Sequence, residues 1–174
     1  MSKWRPPIEE PDPCRLYVAL AYDDPASYFQ VKKDLERQWG GVDFETEAGS
    51  SDGWQPLYGG VARRLVRFLS FERPIGREEL VDIRKRTLGL EAKYQFEGRP
   101  LLEIDPGYVT KYSVVRTGLI EDFHRIYLYH GMFAESLLYY EKMSYRPWTH
   151  TPDFFRQEDV VTVFNDLRVI FTAG

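Results

Sequence analysis

The segment Arg15–Tyr22 constrains the fold most strongly, because both of its alternating faces are apolar or small. One set is Leu16, Val18 and Leu20, and the other is Tyr17, Ala19 and Ala21. Successive side chains of a strand point to opposite faces of a sheet, so this pattern is typical of a strand covered on both sides. We therefore predict a central strand at residues 15–22.

Apolar spacing on the C-terminal side of this segment predicts the rest of a core. Asp24-Pro25 has the form of a helix start, and a second amphipathic helix follows Gly76. Further strands are predicted at residues 42–46, 64–71 and 101–104, the last broken by a turn at Asp105-Pro106-Gly107. The element order is that of a ferredoxin-like βαββαβ core. We predict an α+β fold: a single-domain two-layer sandwich with this core, extended by a β-hairpin and a C-terminal helix.

The second helix is locally basic, with Arg77, Arg84, Lys85 and Arg86. Acidic residues interleave with these four, among them Asp82. Mixed charges of this kind indicate a solvated helix face rather than a phosphate site.

The clearest strand pair is predicted at residues 124–129 and 132–140, joined by His130-Gly131. A two-residue turn at this point pairs Tyr129 with Met132 and Leu128 with Phe133. One face of the pair then carries His124, Ile126, Leu128, Phe133, Glu135 and Leu137. Diagonal neighbours across such a pair lie roughly 7–8 Å apart, so His124 and Glu135 are expected to approach each other.

Two interpretations of this polar pair stay open. In the first, His124 is a general base or metal ligand, Glu135 orients it, and Asp105 or Asp153 completes the site. In the second, His124 and Glu135 only satisfy each other as a buried structural pair.

Five further residues are candidates for ligand binding. Arg125 and Tyr127 lie on the opposite predicted face of the hairpin, and Tyr108 follows the predicted turn. Trp148 and Asp153 lie in a proline-stiffened loop before the last helix. Each has an ordinary structural alternative: aromatic packing for Tyr127, turn formation at 105–108, and helix capping for Asp153.

A divalent metal is an open cofactor prediction. Six residues offer oxygen or nitrogen ligands for zinc, manganese or iron: Glu103, Asp105, His124, Glu135, His150 and Asp153. Their spacing matches no recognised metal motif, and the sequence contains no phosphate loop or dinucleotide-binding glycine pattern.

Composition narrows the class of protein. The chain has 23 basic and 27 acidic residues and a net charge of −4, so a nucleic-acid partner is not expected. Stacking of RNA on Arg125, Tyr127 and Tyr129 is a third interpretation, which this charge balance disfavours. There is no apolar run long enough to span a membrane.

Residues 1–14 are predicted to form an irregular N-terminal arm, and residues 15–174 one domain. The opening residues lack the apolar core of a signal peptide, and Cys14 has no partner for an internal disulfide, so we expect a cytoplasmic protein. In the loop 54–60, Trp54 and Tyr58 either close over a ligand or pack against the domain; packing is the preferred interpretation.

Several motifs together resemble a known family. They are Ile104-Asp-Pro-Gly-Tyr108, His124-Arg-Ile-Tyr-Leu128, Phe133-Ala-Glu135, Pro147-Trp-Thr149 and Pro152-Asp-Phe154. The chain resembles, from Leu16 onward, the uncharacterised prokaryotic family called domain of unknown function 4416. The resemblance implies a single soluble intracellular domain and supplies no substrate.

The leading functional hypothesis is a small-molecule-binding protein or small enzyme with a site around His124 and Glu135. The alternative is a noncatalytic interaction domain that forms a homodimer through sheet or helix faces. The two differ in whether the polar residues converge on a cavity.

Overall fold

The computed structural model describes residues 4, 6–56 and 63–173. Its strands are β1 (Arg15–Tyr22), β2 (Val42–Glu45), β3 (Gly49–Ser50), β4 (Leu65–Phe71), β5 (Gln95–Phe96), β6 (Arg99–Pro100), β7 (Leu102–Val109), β8 (Ser113–Gly118), β9 (Ile126–Tyr129), β10 (Met132–Glu141) and β11 (Ser144–Pro147). Its helices are α1 (Pro25–Trp39), α2 (Leu80–Lys93), α3 (Asp153–Arg156) and α4 (Glu158–Thr172), with a 3₁₀ turn at Arg77–Glu79. Every helix in the described residues is too short or too polar to cross a lipid bilayer.

Strand β1 lies inside a large antiparallel sheet, as predicted. The sheet order is β11-β10-β8-β7-β1-β4-β2, with β3 beside β4 and β9 beside β10. Leu16, Val18 and Leu20 join one core cluster with residues of α1 and α2. Tyr17, Ala19 and Ala21 join a second cluster with residues of α3 and α4. Helices therefore cover both faces of the sheet, and the predicted two-layer sandwich is corrected to three layers.

The first helix begins and ends as its sequence predicts. The Asp24 side chain accepts a hydrogen bond from the Ala26 backbone N–H. Pro25 occupies the first turn, where a backbone N–H would have no intrahelical acceptor, so the lack of this group costs no hydrogen bond. The helix ends at Gly40, whose φ of 91° favours glycine.

The prediction of a turn at Asp105-Pro106-Gly107 is wrong, because these residues belong to β7. This strand pairs with β1 along its whole length but with β8 only over Gly107–Val109. The backbone of Ile104 bonds instead to α2: its carbonyl accepts from Arg84 Nη1 at 2.7 Å, and its N–H donates to Glu91 Oε1 at 2.6 Å. Alternate residues of a strand face the same edge, so Pro106 also faces this edge, where its missing N–H breaks no ladder bond.

The hairpin of β9 and β10 has the predicted turn but another register. His130 and Gly131 have φ values of 54° and 76°, and Tyr129 pairs with Met132. An irregularity after Met132 then pairs Phe133 with Tyr127 rather than with Leu128. His124 and Arg125 precede β9, and all four residues of β9 are exposed. The predicted core-like face of this hairpin is therefore incorrect.

The C-terminal helix follows its prediction. Val160, Phe164 and Leu167 of α4 are buried against the sheet. Trp54 packs against Phe154 with a ring separation of 5.0 Å, which supports the packing interpretation; Tyr58 lies outside the described residues. Residues 6–13 are exposed and lack regular structure, whereas Cys14 is buried in a β-bridge with Ile75.

Candidate functional site

A cavity of about 200 Å³ opens where β7 and β8 separate. Its walls come from α2, from the C-terminal end of β8 with the loop that follows, and from residues just after Trp54. The lining residues are Gln55, Pro56, Arg84, Arg116, Thr117, Gly118, Leu119, Ile120, Arg125 and Glu135. Three are arginines, and Glu135 is the only carboxylate among these ten residues.

A chain of ion pairs runs behind this cavity. Arg116 donates from Nη1 to Asp105 Oδ2 at 2.8 Å and from Nε to Glu135 Oε2 at 3.0 Å. The other oxygen of Glu135, Oε1, lies 2.6 Å from His124 Nε2. The predicted approach of His124 and Glu135 is thus confirmed, and Asp105 joins them through Arg116.

The environment of Glu135 keeps its carboxylate ionised. Burial raises the pKa of Glu135, but the charges and hydrogen bonds of Arg116, His124 and Arg125 outweigh burial and hold the pKa below its ordinary value of 4.5. Burial likewise lowers the pKa of Arg116, yet Asp105 and Glu135 raise it above the ordinary value. Both groups therefore stay charged through the physiological pH range.

His124 is fixed by its neighbours rather than presented to the cavity. Its ring stacks on His150 with centroids 3.9 Å apart and an interplanar angle of 18°. Its Nδ1 atom is buried, makes no hydrogen bond with the described residues and lies 3.8 Å from Asp122 Oδ2. The geometry makes His124 a residue that orients Glu135.

The other two arginines approach the cavity from different elements. Arg84 of α2 is only 2% exposed, so the predicted solvated face is wrong for this residue. Its Nη1 lies 3.9 Å from Asp105 Oδ1 in addition to donating to Ile104. Arg125 donates from Nη1 to the Ile120 carbonyl at 2.8 Å, and its Nε lies 3.6 Å from Glu135 Oε2.

Thr117, the residue after Arg116 on β8, carries a buried hydroxyl. The residue is 5% exposed and lines the cavity, and its Oγ1 has no hydrogen-bond partner among the described residues. A buried hydroxyl without a partner carries a desolvation cost of about 1–3 kcal/mol. A ligand atom in the cavity would relieve that cost.

The lack of a side chain at Gly107 lets the Tyr17 ring lie close to these ion pairs. A Cβ at position 107 would overlap the Tyr17 hydroxyl and the Val115 carbonyl oxygen. Burial raises the pKa of Tyr17, and the carboxylates of Asp105 and Glu135 raise it further, so its hydroxyl stays protonated.

The remaining predicted ligand-binding residues do not line the cavity. Tyr108 packs with the α1 and α2 cluster, on the face opposite to Asp105. Tyr127 is exposed on β9 with its ring against Phe133. Trp148 donates from Nε1 to Ser136 Oγ and stacks on His150, and Asp153 is exposed in the first turn of α3. Of these five residues, only Arg125 lines the cavity.

The six candidate metal ligands do not assemble into one centre. Glu103 accepts a hydrogen bond from Trp54 Nε1 at 2.8 Å, and His150 Nε2 lies 2.8 Å from the Ser136 carbonyl. Across residues 6–56 and 63–173, no group of three or more His, Cys, Asp or Glu side chains is placed to hold a metal ion.

Sequence analysis missed Arg84, Arg116 and Thr117. Arg84 lies at helical spacing with buried residues of α2, so its position on the apolar face of the helix indicates that it is buried. Arg116 and Thr117 lie on β8, and no local sequence pattern distinguishes them from surface residues.

The fold and site together define a three-layer protein of the predicted α+β class, whose antiparallel sheet opens into an arginine-lined cavity. The chain belongs to the family described as domain of unknown function (DUF4416), whose family model matches residues 12–171. Comparisons with curated proteins and with solved structures gave no match.

Proposed function

We propose that the chain binds a small anionic molecule, with its acidic group held in the cavity by Arg84, Arg116 and Arg125. The observation that carries this proposal is that three arginines line one cavity of about 200 Å³ and lie close together through Asp105 and Glu135. Arginine presents several donors in a planar fork, which suits carboxylate and phosphate groups.

The local charges support an anion rather than a cation. Three of the ten residues that line the cavity are arginines, and one, Glu135, carries a carboxylate. Arg116 commits Nε and Nη1 to Glu135 and Asp105. Thr117, the next residue of β8, also lines the cavity, and its hydroxyl has no hydrogen-bond partner among the described residues.

Binding fits the geometry better than proton transfer does. Glu135 has a lowered pKa and both of its oxygens are engaged, so it is a weak base at neutral pH. His124 directs Nε2 to Glu135, and its Nδ1 is buried away from the cavity. We therefore assign His124 and Glu135 to positioning Arg116.

Inorganic phosphate is a suitable first probe. Titration followed by amide NMR spectroscopy should give saturable shifts at Thr117 and Gly118. Thr117→Val should weaken binding by about tenfold, because it removes one hydrogen bond to a charged ligand. Since the hydroxyl has no partner among the described residues, this change should leave the free energy of unfolding almost unchanged or raise it.

Thr162→Val is the matched control. Thr162 is exposed on α4, where its hydroxyl donates to the Glu158 carbonyl. Equal phosphate affinity for the two variants, or the absence of saturable binding at constant ionic strength, would count against the proposal.

We also propose that β1, α1, β2, β4, α2 and β7 form a ferredoxin-like core. Support comes from the strand order β7-β1-β4-β2, in which every neighbouring pair is antiparallel. In this description α1 connects β1 to β2, and α2 connects β4 to β7.

A second candidate function is self-association through β9. Within the described part of the chain this strand pairs only with β10, and it exposes Ile126, Tyr127, Leu128 and Tyr129 without a charged residue among them. An uncharged apolar edge strand is a template for pairing, and two copies of β9 can pair antiparallel about a twofold axis.

Tyr127→Lys should convert a dimer to a monomer in sedimentation equilibrium, because it places two like charges at the shared edge. Tyr112→Lys is the control, since Tyr112 is also exposed but lies outside β9. A wild-type chain that stays monomeric at high concentration excludes this second function.

A further inference from the structure

The carboxylate of Glu135 connects His124 to the cavity. Glu135 is one of the residues that line the cavity, and its Oε1 atom lies 2.6 Å from His124 Nε2. The exposed fraction of the side chain is 9% for His124 and 1% for Glu135, so dissolved ions screen this contact only weakly. The charge of His124 therefore acts on the cavity through a buried carboxylate.

The hydrogen bonds of His124 fix the atom at which it gains a proton. An ionised carboxylate only accepts hydrogen bonds, so Nε2 carries a hydrogen where it binds Glu135. A second proton adds at Nδ1, which is buried and has no hydrogen-bond partner among the described residues. Asp122 Oδ2 lies 3.8 Å from Nδ1. The protonated ring therefore has a carboxyl group near each of its nitrogens.

Other titratable and charged groups near His124 oppose a second proton on its ring. The ring of His150 stacks on His124, and two charged imidazoles in one stack would repel each other, so the pair takes up one proton before another. Arg116 and Arg125, which also contact Glu135, are positively charged as well. The carboxylate of Glu135 is the closest charge to His124 and favours the protonated ring.

We infer that protonation of His124 controls the affinity of the cavity for anions, so that an anion binds more tightly at acidic pH than at alkaline pH. The inference rests on the proposed anion-binding function and specifies how it is regulated. When His124 is neutral, the carboxylate of Glu135 repels an incoming anion. When His124 is charged, it offsets this repulsion. Imidazole is the side chain that changes charge between about pH 5 and pH 8, so we expect the effect in this range.

Sulfate is the probe, because its charge is constant across this range whereas a phosphate group changes its charge at about pH 6. Isothermal titration calorimetry at constant ionic strength should show about tenfold tighter binding at about pH 5.5 than at about pH 8. His124→Gln should lose this difference, because its amide can still donate to Glu135 but carries no charge at any pH. The carboxylate of Glu135 stays ionised throughout, since its pKa lies below 4.5.

His130→Gln and Glu91→Gln are the controls, and both should retain most of the pH difference. His130 is exposed in the turn between β9 and β10 and does not line the cavity. Burial raises the pKa of Glu91 to about 7, and Glu91 interacts with Arg84, so its charge also changes near a cavity residue in this range. A pH difference that Glu91→Gln removes and His124→Gln retains would assign the effect to Glu91 and overturn the inference.

NMR spectroscopy of the histidine rings gives a second measurement, which needs no variant. Proton binding and anion binding must affect each other reciprocally. Saturating sulfate should therefore move the titration of the His124 ring to a pH about one unit higher, which is the counterpart of the tenfold change in affinity.

The outcomes separate this inference from the function on which it rests. Equal sulfate affinity at the two pH values overturns the inference and retains the anion site. A His124 titration that bound sulfate leaves unchanged also overturns it. Absence of sulfate binding throughout the range overturns the proposed function itself. Loss of the pH difference in His124→Gln but not in the two controls supports the inference.

Discussion

Replacement of Arg116 with Met is expected to lower the free energy of unfolding by about 3–5 kcal/mol near neutral pH. Arg116 is the shared partner of Asp105 and Glu135, whose side chains are 0% and 1% exposed. Methionine has similar length but supplies no charge, so two buried carboxylates lose their main partner. Urea denaturation measures the effect, which should shrink as the pH falls and Glu135 takes up a proton.

Arg86→Met is the control for this prediction. Arg86 also pairs with an aspartate, Asp82, at 3.0 Å, but both side chains are more than half exposed. Exposed ion pairs contribute about 0–1 kcal/mol, so this variant should resemble the wild type. Equal losses in the two variants would mean that the buried ion pairs do not contribute as described.

Replacement of Glu91 with Gln should remove a strong pH dependence of stability. Burial raises the pKa of Glu91 to about 7 from its ordinary value of 4.5. A raised folded-state pKa contributes stability that is complete below about pH 4.5 and is lost as the pH rises through about 7. This shift corresponds to about 3 kcal/mol.

The glutamine side chain of the Glu91→Gln variant carries no charge at any pH, and its oxygen can still accept from the Ile104 N–H. The stability of this variant relative to the wild type should therefore rise by about 3 kcal/mol between about pH 4.5 and pH 8. Urea denaturation across this range gives the difference directly. Glu9→Gln, in the exposed N-terminal arm, is the control for the substitution itself.

Local sequence predicted those elements whose signals lie within a few residues. The alternating faces of Arg15–Tyr22 require cover on both sides, and the structure provides it with helices. Asp24 and Pro25 set the start of α1 through backbone groups of the same turn. The turn at His130-Gly131 was also predictable, because the preference of glycine for positive φ is local.

The errors share a nonlocal cause. Pro106 normally ends a strand, but here the neighbouring strand has already separated, so the missing N–H has no consequence. The hairpin register depends on an irregularity at Met132 that the residue pattern does not reveal. Arg84 looked solvated beside Lys85 and Arg86, yet its partners lie on β7, 20 residues further along the chain.

The candidate site was predicted in part for the same reason. His124 and Glu135 were expected to meet, and they do, but through the turn before β9 rather than through strand pairing. Arg116, which links them to Asp105, comes from a strand whose placement beside β10 is a property of the whole sheet.

The short pairing between β7 and β8 also divides the sheet into two parts. Only Gly107–Val109 of β7 joins the part built around β1 to the part built around β10 within the described sheet. Proteins open locally where few contacts hold the backbone, so amide exchange should be faster beside this junction than inside β1. Arg84 belongs to the first part and Arg116 to the second. A ligand bound by both arginines would link the two parts of the sheet. Occupancy of the cavity would therefore slow amide hydrogen exchange at the junction.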